Sequence, residues 1–130
     1  MKLIIMAAIF AAFGCSVACA DNHAVKIAKN GALGSYLTDA KGMTLYYFKK
    51  DTVGKSACAG DCVVKWPLYF REKVAALDGL KGADFGEIKR DDGKMQSTYK
   101  EMPLYYFVKD TKPGDTTGQG ANNVWYIVTP

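Results

Sequence analysis

The sequence predicts a mainly β fold: two antiparallel β-meander repeats related by pseudo-two-fold symmetry, with one or two short helical turns. Three observations predict it. A ten-residue block, Met43-Thr-Leu-Tyr-Tyr-Phe-Lys-Lys-Asp-Thr52, returns 59 residues later as Met102-Pro-Leu-Tyr-Tyr-Phe-Val-Lys-Asp-Thr111, identical at eight of ten positions. The same offset carries Trp66 onto Trp125. Aromatic runs between turn residues recur along the chain, whereas helical periodicity is weak.

Residues 1–20 read as a signal peptide. Lys2 supplies the positive start, residues 3–13 are an apolar run of eleven, and Ala18-Cys19-Ala20 fits the small-x-small cleavage rule. Eleven apolar residues are too few for a permanent membrane span. The competing reading is a lipoprotein with its lipid on Cys15 or Cys19, which follow Gly14 and Ala18. The leucine usual three positions upstream of such a cysteine is Ala12 or Ser16 here. Residues 21–130 then form a single β-rich domain of two repeats, about 24–70 and 83–130.

In the first repeat, strands are expected over 25–29, 34–38 and 43–48, the last two joined by the turn Asp39-Ala-Lys-Gly42. Residues 62–65 suit a short helical turn, halted before Trp66-Pro67 because a residue preceding proline resists helix. Residues 72–77 suit one or two more helical turns, stopped by Gly79. The second repeat offers strands over 85–90 and 94–99 around Asp91-Asp92-Gly93, then 102–107 after Lys100-Glu101, and a last strand over 124–128 holding Trp125.

Strand alternation sets Leu45 and Tyr47 on one face and Tyr46 and Phe48 on the other. Leu104 and Tyr106 oppose Tyr105 and Phe107 in the same phase. Each aromatic strand thus carries large side chains on both faces. One set builds the core; the other packs against the partner repeat or lines a groove fit for a sugar or extended peptide.

The loops from aromatic strand to tryptophan, 53–65 and 112–124, have equal length and different chemistry. The first holds Cys58 and Cys62, read as a structural disulfide in an oxidising compartment. Redox and metal-handling readings of the pair stand as alternatives, although Cys-x-x-Cys is the usual redox spacing and no second Cys/His pair completes a zinc site. The second holds Asp115, Asn122, Asn123 and several glycines, without calcium-loop spacing. Asp51 and Asp110 end the two aromatic strands. Either each closes a turn with the threonine after it, or the two form an acid–base pair of the kind hydrolases use.

The formal net charge is +4, or +3 without Lys2, and the basic residues are scattered, so no nucleic-acid surface is read. His23 is the only histidine, which disfavours Ser–His–Asp, Cys–His and blue-copper sites. No cofactor or metal is assigned, and no partner is identified.

The motif Tyr-x-aromatic-x-x-Asp, present as Tyr46-Tyr47-Phe48-Lys49-Lys50-Asp51 and Tyr105-Tyr106-Phe107-Val108-Lys109-Asp110, resembles that of the bacterial secreted repeat family of predicted lipoproteins. The likeness extends through Cys58-Ala-Gly-Asp-Cys62 and Trp66-Pro67, and through Gly118-Gln-Gly120 to Trp125-Tyr126. It implies export, often lipid anchoring, and a two-repeat domain, with no settled activity. The combined expectation is an exported envelope protein, periplasmic, secreted or lipid-tethered, acting as a non-catalytic binding or structural module. The alternatives are a redox or metal-handling protein using Cys58/Cys62 and a small hydrolase using Asp51/Asp110.

Overall fold

The computed structural model describes residues 21–130. The expected signal peptide, residues 1–20, and the two candidate anchors in it, Cys15 and Cys19, lie outside the described residues. Strand β1 (Ala24–Asn30) pairs antiparallel with β2 (Gly34–Thr38), from Lys26↔Thr38 to Asn30↔Gly34. The Asn30 side chain accepts the Ala32 and Leu33 N–H bonds and shapes the turn between them. After β2 the Asp39 carboxylate accepts from the Lys41 and Met43 N–H groups, each at 2.9 Å, and folds the chain back. Leu45 N–H then donates to Leu37 C=O, completing the meander.

The second repeat rebuilds this with β5 (Phe85–Lys89), β6 (Met95–Tyr99) and β7 (Met102–Pro103), in that order in the sheet. Leu104 N–H donates to Ser97 C=O as Leu45 does to Leu37. Ser97 therefore stands where Leu37 stands, and the second turn is one residue shorter. The tightening puts Lys100 and Glu101 at φ 49° and 70°, in the left-handed region.

The two meanders exchange their last strands. β3 (Tyr46–Phe48) pairs antiparallel with β8 (Trp125–Ile127) of the other repeat. In return, Tyr106 and Val108 N–H donate to Pro67 and Lys65 C=O, so the second aromatic strand takes the segment around Trp66. At the centre Tyr46 and Tyr105 exchange both backbone bonds, at 2.8 and 3.0 Å. These are equivalent residues of the two copies, so the pseudo-two-fold axis passes between them. Regular strand is confined to 46–48 and 102–103, narrower than the 43–48 and 102–107 expected, because pairing on both sides switches partners around Leu45 and Leu104.

The helical turn expected over 62–65 is present as α1 (Asp61–Lys65), one residue longer at its start. The one expected over 72–77 is not. Ala75 and Ala76 form β4, parallel to the start of β1. Six residues with a β-branched Val74 and a following Gly79 nucleate helix poorly, and β1 offers an open edge that bonds their backbone instead.

Alternation sorts the side chains into two cores as the phase predicted. Leu45 and Leu104 lie with Val25, Leu37, Tyr69, Tyr99 and Val128. Tyr46 and Tyr105 lie with Tyr36, Cys58, Trp66, Trp125 and Ile127. Among the described residues no helix is long and apolar enough to cross a membrane.

Candidate functional site at the repeat junction

The motif residues converge on the pseudo-two-fold axis. Trp66 and Trp125 stack there with centroids 3.9 Å apart and planes at 3°. Phe107 stacks on the outer face of Trp66 at 4.0 Å and Phe48 on that of Trp125 at 4.2 Å. The result is a four-ring column in which each phenylalanine covers the tryptophan of the opposite repeat. Tyr46 meets Trp66 edge-on at 5.4 Å, and Tyr105 meets Trp125 edge-on at 5.0 Å. Both faces of the aromatic strands are thus used for packing.

The aspartates cross between repeats as well. The Tyr46 hydroxyl donates to Asp110 Oδ2 at 2.6 Å, and the Tyr105 hydroxyl to Asp51 Oδ2 at 2.7 Å. The other oxygen of each carboxylate turns to its own loop. Asp110 Oδ1 accepts from the Thr117 N–H and hydroxyl, and Asp51 Oδ1 accepts from the Ala57 N–H. This corrects the expectation of a turn closed with the next threonine. Thr52 N–H goes to Lys55 C=O and Thr111 N–H to Asp115, leaving the motif aspartates free to bridge the repeats.

Burial pushes the Asp51 carboxyl above its ordinary value, against the Ala57 and Tyr105 hydrogen bonds and the nearby Arg90 charge. Burial likewise pushes both tyrosines far up, reinforced by the carboxylate each one faces. These phenols stay protonated and act as donors.

The junction is symmetric in its motif and asymmetric in its loops. In the second loop the Gly118 N–H donates to the Tyr46 hydroxyl oxygen at 3.1 Å. A Cβ on Gly118 would fall 2.8 Å from Trp66 Cη2 and 3.0 Å from Phe107 Cδ2, so only glycine lets the loop lie against the column. In the first loop Cys58 is buried and joined to Cys62. There the Tyr105 hydroxyl lies 2.5 Å from Ser56 Oγ. Tyr105 gives its proton to Asp51, so Ser56 is the donor between these two.

Arg90 anchors that loop. It is 6% exposed. Its guanidinium donates to Ser56 Oγ and Gln96 Oε1 at 2.8 Å each, to Cys58 C=O at 2.6 Å, and to Asp92. Ser56, Arg90, Gln96 and Thr117 were not singled out from the sequence, whereas Gly118 was marked by the Gly118-Gln-Gly120 run.

Removing the disulfide tests how far this loop is held without it. A ring this short stabilises by only about 2 kcal/mol on the chain-entropy account. The paired change Cys58→Ser and Cys62→Ser is expected to lower unfolding free energy by about that amount and to keep the fold, because Arg90, Ser56 and Asp51 still hold the loop. Urea unfolding followed by circular dichroism measures it.

A family model described as a secreted repeat of unknown function matches the chain twice, over residues 28–69 and 86–129. The chain belongs to this secreted repeat family. No curated protein and no solved structure matches it significantly. Membership gives the secreted repeat its exported character and leaves its activity open. The two matched segments are the two copies that exchange strands in the fold, so neither segment is structurally complete without the other. Among the described residues no group of three or more His, Cys, Asp or Glu side chains converges as a cation site.

Proposed function

We propose that this secreted repeat is a non-catalytic module of the bacterial envelope, acting by binding or by structural support. The observation that carries this reading is the complete internal use of the motif's polar atoms. Asp51 and Asp110 are 6% and 7% exposed, and each spends both oxygens on a tyrosine of the other repeat and a loop of its own. A hydrolytic carboxylate pair instead needs space between its members for sugar and water. The motif therefore reads as a fastener between copies, and recognition falls to the loops. The 53–65 loop and the β5–β6 turn enclose an open cavity of about 390 Å³ lined by Lys50, Lys55, Ser56, Arg90 and Asp92, among others.

The redox alternative is weakened by the burial of Cys58 and by the Arg90 bond to its carbonyl, which hold the bridge in a structural setting. Export through the 1–20 leader accords with a disulfide-forming compartment. Mass spectrometry of the exported protein separates the fates of the leader: a chain beginning at Asp21 is released, and a lipid-bearing Cys15 or Cys19 is tethered.

Asp51→Asn and Asp110→Asn test the function. Each is expected to lose about 1–3 kcal/mol of stability, because the amide keeps one acceptor oxygen where the carboxylate used two, and either the tyrosine hydroxyl or the loop N–H is left without its acceptor. Neither is expected to change turnover of glycoside or ester substrates, measured below the melting transition. Wild-type turnover that disappears in a folded Asn variant would establish the hydrolase instead.

A further inference from the structure

We propose that β5 is an interface strand through which two copies of this chain pair edge to edge, antiparallel, about Ile88. Ser97 points both its backbone groups away from β5, donating to Tyr69 C=O and accepting from Leu104 N–H. In an antiparallel ladder its opposite residue, Glu87, then points its own N–H and C=O outward. Lys89, two residues on, does the same. Among the described residues no backbone group pairs with β5 on that side, since its only sheet neighbour is β6.

The equivalent edge in the first repeat is covered as far as Ile27. Ile27 occupies the position of Glu87, and its N–H is capped by the Asp78 carboxylate at 2.9 Å. β4 covers Ala24 and Val25, and Leu77 N–H donates to Val25 C=O. One fold thus presents a guarded edge and an unguarded copy of it, and an unguarded edge is a template for another strand.

The charges on β5 select the partner. With Ile88 facing Ile88 of a second copy, Glu87 lies opposite Lys89 and Lys89 opposite Glu87, giving two attractive cross-strand pairs from one sequence. Both residues are exposed and both carry outward backbone groups, so each pair can exchange two hydrogen bonds. The register centred on Glu87 instead places like charges face to face. Hollows of about 300 and 420 Å³ beside Phe85 and Gly86 leave room for the partner's 91–93 turn. The product is one six-stranded sheet in the order β7-β6-β5-β5-β6-β7.

Sedimentation equilibrium of the full chain, recovered after export, tests the pairing. A monomer–dimer equilibrium is expected. Glu87→Lys opposes lysine to lysine twice and is expected to weaken dimerisation by about tenfold or more. Adding Lys89→Glu restores opposite charges and is expected to recover the wild-type constant to within about threefold. Both positions are exposed, and thermal melts confirm that the variants fold. A chain that stays monomeric, including one that captures a different protein on this edge, overturns the proposal. So does a dimer indifferent to Glu87→Lys, or a double variant that fails to recover.

Discussion

Replacing Trp125 by alanine is expected to remove roughly 3–5 kcal/mol of stability, the range for deleting a large buried aromatic side chain. Trp125 is 3% exposed and touches Trp66 and Phe48 through stacked faces and Tyr105 through an edge. A domain of this size has a total stability of roughly 5–15 kcal/mol, so one substitution leaves it marginal. Trp66→Ala is expected to cost a similar amount, because its ring has the same kinds of neighbour across the axis. The double variant should lose less than the sum, since each tryptophan already lacks its stacking partner in the other's single variant. Urea titration followed by circular dichroism gives all three values. A single variant that loses under about 1 kcal/mol would show that the column is packing that the fold can replace. The column also predicts one cooperative transition: its rings alternate between repeats, so neither copy can open alone.

How much of this was legible follows from where each interaction sits in the chain. The two cores come directly from strand alternation: Leu45 and Leu104 enter one, Tyr46 and Tyr105 the other. The duplicated block and the paired tryptophans revealed the symmetry. They did not reveal the strand exchange, because a repeat's local pattern is the same whichever copy it pairs with. The Tyr–Asp bridges were hidden for that reason: Asp51 precedes its partner Tyr105 by 54 residues. Arg90 gave no signal either. A charged residue beside Asp91-Asp92-Gly93 reads as a solvated turn, and its burial depends on acceptors from Ser56, Cys58 and Gln96 that only the fold assembles. At 72–77 a short run of helix-tolerant residues was captured by the free edge of β1, a tertiary opportunity with no local trace.

Raising the pH is expected to unfold the domain between about pH 11 and 12, and tyrosine ionisation should appear with unfolding rather than before it. Burial raises Tyr46, Tyr105 and Tyr106 far above the ordinary phenol value, with help from the Asp110, Asp51 and Asp39 carboxylates they face. Burial pushes Tyr69 up to about 12. A phenol with a raised folded value contributes its full stability below about pH 10, where both states hold the proton. Above that, the unfolded chain releases protons that the folded chain keeps, and stability falls by about 1.4 kcal/mol per group per pH unit. Four such groups amount to roughly 5–6 kcal/mol at pH 11, comparable with the whole stability of a small domain. Phenolate absorbance and circular dichroism recorded through the same titration test this. Ionisation of Tyr46, Tyr69, Tyr105 and Tyr106 should appear in step with loss of ellipticity. Tyr69→Phe sharpens the test, because the Tyr69 hydroxyl is buried without a partner among the described residues. Its removal forfeits no hydrogen bond and deletes one of the four ionisations, so stability at neutral pH should hold or rise while the alkaline midpoint moves upward. Tyr46→Phe makes the opposite comparison. It also deletes an ionisation, but it leaves Asp110 short of a donor and Gly118 N–H short of an acceptor, so stability at neutral pH should fall. Early ionisation of the buried set, with ellipticity unchanged, would mean that the junction admits hydroxide and that the Tyr–Asp bridges are not the closed fasteners described above.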